Sequence, residues 1–157
     1  MRRSDREVTD FGEMVEIMQK CDVCRIALNG DGYPYILPLN FGMKVEEGSV
    51  VLYFHGAGQG TKHDLIRADD RASFEMDCGH RLVTDDGKGT CTMEYESVIG
   101  QGHMEVAAEE EKEEALRILM CHYHREDFAF DKSVIPATTV LKLTVERMTG
   151  KRRRKQA

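Results

Sequence analysis

Through most of this chain apolar and polar residues alternate with a period of two, a pattern that commits a segment to a strand with one buried face. Cys24, Ile26 and Leu28 point one way, and Val23, Arg25 and Ala27 the other. Ala72, Phe74 and Met76 alternate with Ser73, Glu75 and Asp77. The alternation resumes over Thr92–Val106, where Gly100 and Gly102 are expected to act as bulge points that bend a long strand. It returns over Thr138–Met148, with Leu141, Leu143 and Val145 on one face. Ser49–His55 is a compact run of Val, Leu, Tyr and Phe. Asn29-Gly30-Asp31-Gly32 is a strong hairpin signal, with a return strand over Tyr33–Lys44. Pro34 and Pro38 give no ladder N–H, so this strand is expected at an edge, bulged, or free on one side near a ligand. The Gly- and Asp-rich residues 79–90 read as a loop.

Three segments switch to helical spacing. Asp10 is placed to cap the first, with Glu13 three residues on, and Phe11, Met14, Val15 and Met18 fall on one face. Thr61 is expected to cap a short second helix carrying Leu65 and Ile66. Residues 108–124 read as an acidic helix with Leu116, Leu119, Met120 and Tyr123 inward. Six strands joined mainly by turns, with few βα alternations, favour a mainly β antiparallel barrel with peripheral helices over a doubly wound sheet. The 157 residues are expected to form one domain over 1–150, with a weakly held basic tail over 151–157.

Charge narrows the function. There are 28 acidic residues against 22 basic ones, for a net charge of −6, which opposes non-specific grip on nucleic acid. No apolar run approaches the roughly 20 residues of a membrane span. The first residues carry no apolar stretch of a secretory kind, and five cysteines are an odd number, so reduced thiols in a cytoplasm are expected.

Gly56-Ala57-Gly58-Gln59-Gly60, then Thr61 and Lys62, gives the order strand, glycine-rich loop, helix start, lysine. Physically that is a phosphate cradle: glycines admit an oxyanion, helix N–H groups face it, and lysine adds a cation. The spacing matches neither the P-loop nor the dinucleotide fingerprint, and a plain β-to-α connection is the competing reading. Cys21-Asp22-Val23-Cys24, Cys78-Gly79-His80 and Cys121-His122-Tyr123-His124 use the vocabulary of zinc sites. A second clean pair is missing and Cys24 falls in register with Ile26 and Leu28, so we expect no metal centre and read the thiols as small buried hydrophobes. His55 ends a strand beside the glycine-rich loop, either bonded to backbone or facing whatever the loop binds.

Several segments, in order, carry a resemblance: Met1-Arg2-Arg3 with Arg6-Glu7; Tyr33-Pro34-Tyr35 with Pro38-Leu39-Asn40-Phe41; Leu52-Tyr53-Phe54-His55-Gly56-Ala57 with Gly60 and Lys62; Tyr95-Glu96-Ser97-Val98-Ile99-Gly100-Gln101-Gly102; and Thr149-Gly150-Lys151-Arg152. The chain resembles the FMN-binding split-barrel family related to pyridoxamine 5'-phosphate oxidase, and within it the 5-nitroimidazole-resistance subgroup. The resemblance implies a six-stranded split β-barrel and a homodimer with FMN at the interface. It implies that Gly60, Thr61 and Lys62 meet the phosphate, with Gly56 and Ala57 beside them. It implies that the flavin ring lies against Pro38, Leu39 and Asn40, and that Phe54 and His55 lie near ring and substrate. Tyr95 and Ser97 would approach from another strand, of the partner subunit. Where the B6 oxidases carry an Arg-x-His pair, this chain reads Glu146-Arg147-Met148, so that substrate is not implied. The expected activity is flavin-dependent reduction of a small molecule such as a nitroaromatic ring, with NADH or NADPH as donor and His55 as the catalytic group. The alternative is a non-catalytic flavin store or redox sensor.

Overall fold

A computed structural model describes residues 3–154. Eight strands form one sheet with every pairing antiparallel: β1 (Glu7–Val8), β2 (Cys24–Leu28), β3 (Tyr35–Leu39), β4 (Gly42–Glu46), β5 (Ser49–Gly56), β6 (Arg71–Asp85), β7 (Thr90–Val106) and β8 (Thr139–Arg153). The strand order is β3-β2-β6-β7-β8-β5-β4, with β1 added to β8. β3 and β4 are consecutive in sequence yet end the path on opposite sides, which is the split in a split barrel.

The mainly β split-barrel class is thus observed, with two more strands than the six expected. One is the short β1. The other arises because the return strand over 33–44 breaks at Asn40–Phe41, where the chain leaves β2 and joins β5. Pro38 sits in the edge strand β3, opposite Arg25 of β2, as expected for a residue with no ladder N–H to give.

The expected loop over 79–90 is mostly strand. β6 continues to Asp85 through a register shift between Cys78 and Arg81, and β7 begins at Thr90. Leu82 and Met93 in this extension are exposed, so no buried face announces it in the sequence. Gly102 marks a second shift, after Gln101, as expected, whereas Gly100 continues the ladder opposite Met148. A Cβ on Gly102 would lie 2.0 Å from the Thr144 carbonyl oxygen, so only glycine lets β7 and β8 close there. β8 runs on through Lys151, Arg152 and Arg153, pairing with β7 and, at Lys151, with β1. The basic run therefore starts inside the sheet rather than in a loose tail, and its residues 155–157 lie outside those described.

The first helix, α1 (Phe11–Gln19), is capped by Asp10, whose carboxylate accepts from the Glu13 N–H at 2.9 Å. It buries Met14, Ile17 and Met18. Those side chains join Ile26, Leu28, Phe41, Leu52, Phe54, Phe74, Met76, Met104 and Leu143 in the barrel core. α3 (Lys112–His122), preceded by a 3-10 turn at Glu109–Glu111, is shorter than the expected 108–124 and covers a smaller cluster of Tyr53, Ala107, Ala115, Leu116 and Val140. Because Gly102 packs against backbone, Gly102→Ala is expected to cost about 1–3 kcal/mol. The measurement is the chemical denaturation midpoint, and an unchanged midpoint contradicts the packing described.

Candidate functional site

β5 delivers His55 and Gly56 to the glycine-rich turn, and α2 (Thr61–Ala68) starts on its far side. The N-cap is Gly60, at φ +117°, and not Thr61, which is the first helical residue. A glycine cap has no side-chain acceptor, so no side chain claims the opening N–H groups of α2; the His63 N–H goes to the Gly60 carbonyl at 3.0 Å, which leaves those of Thr61 and Lys62. Lys62 folds back over the end of β5, its Nζ lying 3.1 Å from where a Cβ on Gly56 would sit. His63, which the sequence reading passed over, holds the turn closed: it is buried and its Nε2 donates to the Ala57 carbonyl at 2.7 Å. A single histidine inside an otherwise polar helix turn carries no pattern that reveals such a role. Free helix N–H groups, a lysine ammonium and room in place of two side chains form a cradle for an oxyanion.

β4 pairs with β5 only as far as Gly42 opposite Tyr53, so Phe54–Gly56 are open on that side. The Phe54 side chain itself is core, 1% exposed, so only its backbone can meet a ligand. His55 is exposed. β3 carries Pro38 and Leu39 to the Asn40–Phe41 joint on this same side. Tyr123, at the end of α3, pins that joint. Its hydroxyl donates to the Asp22 carbonyl at 2.7 Å and accepts from the Phe41 N–H at 3.2 Å and the Asn40 Nδ2 at 3.1 Å. The Asn40 amide also reaches the Asp22 carbonyl at 3.3 Å, so this side chain has partners within the chain.

Tyr95 and Ser97 lie elsewhere. Ser97 is opposite Lys151 on β8, whereas His55 is opposite Val140. The separation along β8 is 151 − 140 = 11 residues, about 35 Å of strand. Within one chain the structure gathers His55, Gly56, Ala57, Gly60, Thr61 and Lys62 at one end of β8, and Tyr95 and Ser97 at the other.

That second end is cationic. Lys151 Nζ stands 5.7 Å from the centroid of the Tyr95 ring. Burial favours the neutral Tyr95 phenol, but hydrogen bonds and charge from Lys151 and Arg6 outweigh it and draw the phenol below its ordinary range. Glu96, next in the strand, is buried and held by Lys20 at 3.0 Å, Arg152 and Arg154. The cysteines make no comparable cluster: Cys21 and Cys24 are buried, burial pushes both thiols up, and Cys21 donates to the Ile17 carbonyl at 3.3 Å.

In a difference titration of the protein against Tyr95→Phe, followed at the phenolate absorbance, Tyr95 is expected to ionise below the usual value of about 10. Lys151→Met should move that midpoint upward. A midpoint that ignores Lys151 contradicts the electrostatic arrangement.

Comparison with known proteins places these features in a family. The family model described as pyridoxamine 5'-phosphate oxidase matches residues 10–152. No curated protein sequence matches the chain. Among solved structures, a candidate 5-nitroimidazole antibiotic resistance protein from Bacteroides thetaiotaomicron superposes with a TM-score of 0.80 at 28% identity, covering 92% of this chain and 85% of that one. The FAD and heme binding protein from Mycobacterium smegmatis superposes with a TM-score of 0.77 at 20% identity, over 94% and 73% of the two chains. A flavocytochrome from Azotobacter vinelandii gives 0.78 at 20% identity, over 98% and 72%. No described helix is long and apolar enough to cross a membrane. The family match runs from the cap of α1 almost to the end of β8, and so the chain belongs to the pyridoxamine 5'-phosphate oxidase family, a family of flavin-binding split barrels.

Proposed function

We propose that this protein is an FMN-dependent oxidoreductase acting on a small molecule in the cytoplasm, with two sites, each completed across a homodimer. The observation that carries the reading is the cradle at Gly56–Lys62, where a glycine cap, open helix N–H groups and a folded-back lysine suit the phosphate of a flavin nucleotide. Lys62, Thr61 and the Gly60 turn would hold that phosphate, and the open edge of Phe54–Gly56 with the Pro38–Asn40 segment would flank the ring. A bound flavin supplies hydride and electron transfer between a donor and an acceptor. NADH or NADPH is the donor in this reading, and a nitroaromatic compound the acceptor, by analogy with the Bacteroides neighbour.

The chain's own contribution is binding, orientation and proton handling. His55, exposed at the open end of β5, would orient the acceptor and give or hold a proton, since imidazole changes charge near neutral pH. Tyr95 and Ser97 are too far along β8 to serve the cradle of their own chain, so in this reading they serve the cradle of a second copy. Tyr33, Ile36 and Ile99 are exposed and offer apolar surface for that pairing.

Lys62→Ala is expected to weaken FMN retention about tenfold or more, the loss of a charge-assisted phosphate contact. His55→Ala should retain FMN and slow turnover, and unchanged steady-state rates with a good acceptor would remove its catalytic role. Mixed dimers test the shared site. In a dimer of one Lys62→Ala chain and one Ser97→Trp chain, one site carries both lesions and the other neither, so flavin content should return to about half. No recovery on mixing means that each site lies within one chain.

A further inference from the structure

The oxyanion cradle at Lys62 leaves the arginines at the far end of β8 unexplained. Among the described residues, two buried side-chain nitrogen or oxygen atoms have no hydrogen-bond partner: Nε of Arg6 and Nε of Arg153. A buried unsatisfied donor costs about 1–3 kcal/mol, and more when charged, so two in one place call for an acceptor. Both arginines line one groove of about 570 Å³, between the N-terminal segment and the end of β8. A second groove, of about 360 Å³, shares Arg153 and Arg154 and reaches Tyr95; its two carboxylates, Glu94 and Glu96, are held by Arg81 and by Arg152 and Arg154.

Charge selects the acceptor. Arg152 and Arg154 are already paired with Glu96, and Arg152 also with Glu13. Arg6 reaches the Tyr95 phenol, but its Nε has only a loose approach to Asp5, at 3.8 Å, and that carboxylate is engaged at 2.8 Å by Arg3. Lys151 turns its ammonium to the Tyr95 ring. Acids also border the groove, at Asp5, Glu7 and Glu13, of which Asp5 is held by Arg3 and Glu13 by Arg152.

We propose that Arg6 and Arg153, with Lys151 beside them, form a second anion site that takes a phosphoryl group and is distinct from the Lys62 cradle of the same chain. Guanidinium Nε–H with a neighbouring Nη–H presents two parallel donors, the geometry that phosphate oxygens accept. The phosphoryl group is carried by a free phosphate or by a flavin nucleotide whose phosphate lies between these arginines and the Lys62 cradle of a second chain; the site's chemistry is the same for both. Only the second source rests on the function proposed above.

The first test uses the unaltered protein, freed of any bound flavin. Arginines are modified with phenylglyoxal with and without inorganic phosphate or FMN, and modified peptides are identified by mass. Protection of Arg6 and Arg153 by both anions shows that the phosphoryl group is recognised by itself. Protection by FMN alone identifies the flavin nucleotide as its carrier. Absence of protection by either overturns the proposal, whereas flavin uptake, read separately in the visible spectrum, decides the functional reading. The second test titrates inorganic phosphate into Lys62→Ala. Saturable binding should persist there and fall about tenfold or more when Arg153→Gln is added, with the phosphate-free melting temperature unchanged. Binding lost with Lys62, or indifferent to Arg153, overturns the second site.

Discussion

The β7–β8 ladder is the constraint on which the rest of this structure depends. β7 has 17 residues and β8 has 15, and they pair from Tyr95 opposite Arg153 to Val106 opposite Leu141. Strands of that length in a sheet of this size must bend, and the bend is built at Gly102, where backbone meets backbone. β6 lies on one side of the pair and β5 on the other, so each end of the ladder reaches a different part of the molecule. One end holds β5 and the glycine-rich turn, while the other holds β1, Tyr95 and the arginines.

That separation gives the chain two chemically different anion-friendly regions. At the β5 end the donors are backbone N–H groups and one lysine, shaped by missing side chains. At the β1 end they are guanidinium groups, Arg6 in the turn before β1 and Arg153 on β8, beside a tyrosine whose acidity Lys151 and Arg6 set. A single chain cannot bring the two together across eleven residues of β8, the difference between positions 151 and 140. The shared dimeric site proposed above would bring them together between two chains.

Much of this was legible in the sequence because burial writes a period. Ile26 and Leu28, Phe74 and Met76, and Leu141 and Leu143 declare their strands by alternation, and Asp10 with Glu13 declares α1. The β6–β7 extension was not legible, because Leu82 and Met93 face solvent and a two-stranded arm needs no buried face. Nor was the continuation of β8 through Arg153, since consecutive basic residues look like a tail until β1 and Glu96 are seen to hold them. The glycine-rich turn was readable from composition, but its clasp, His63 on the Ala57 carbonyl, and the Tyr123 pin at Asn40–Phe41 are contacts between segments and leave no local pattern.

The central claim is that this split barrel carries a flavin nucleotide, and that the nucleotide is FMN. It is tested most directly by the visible absorption spectrum of the purified protein, with the chromophore released by denaturation and identified by mass. The account predicts a flavin spectrum, FMN as the released species, and about one flavin per chain. A colourless protein that also fails to take up added FMN or FAD would contradict it.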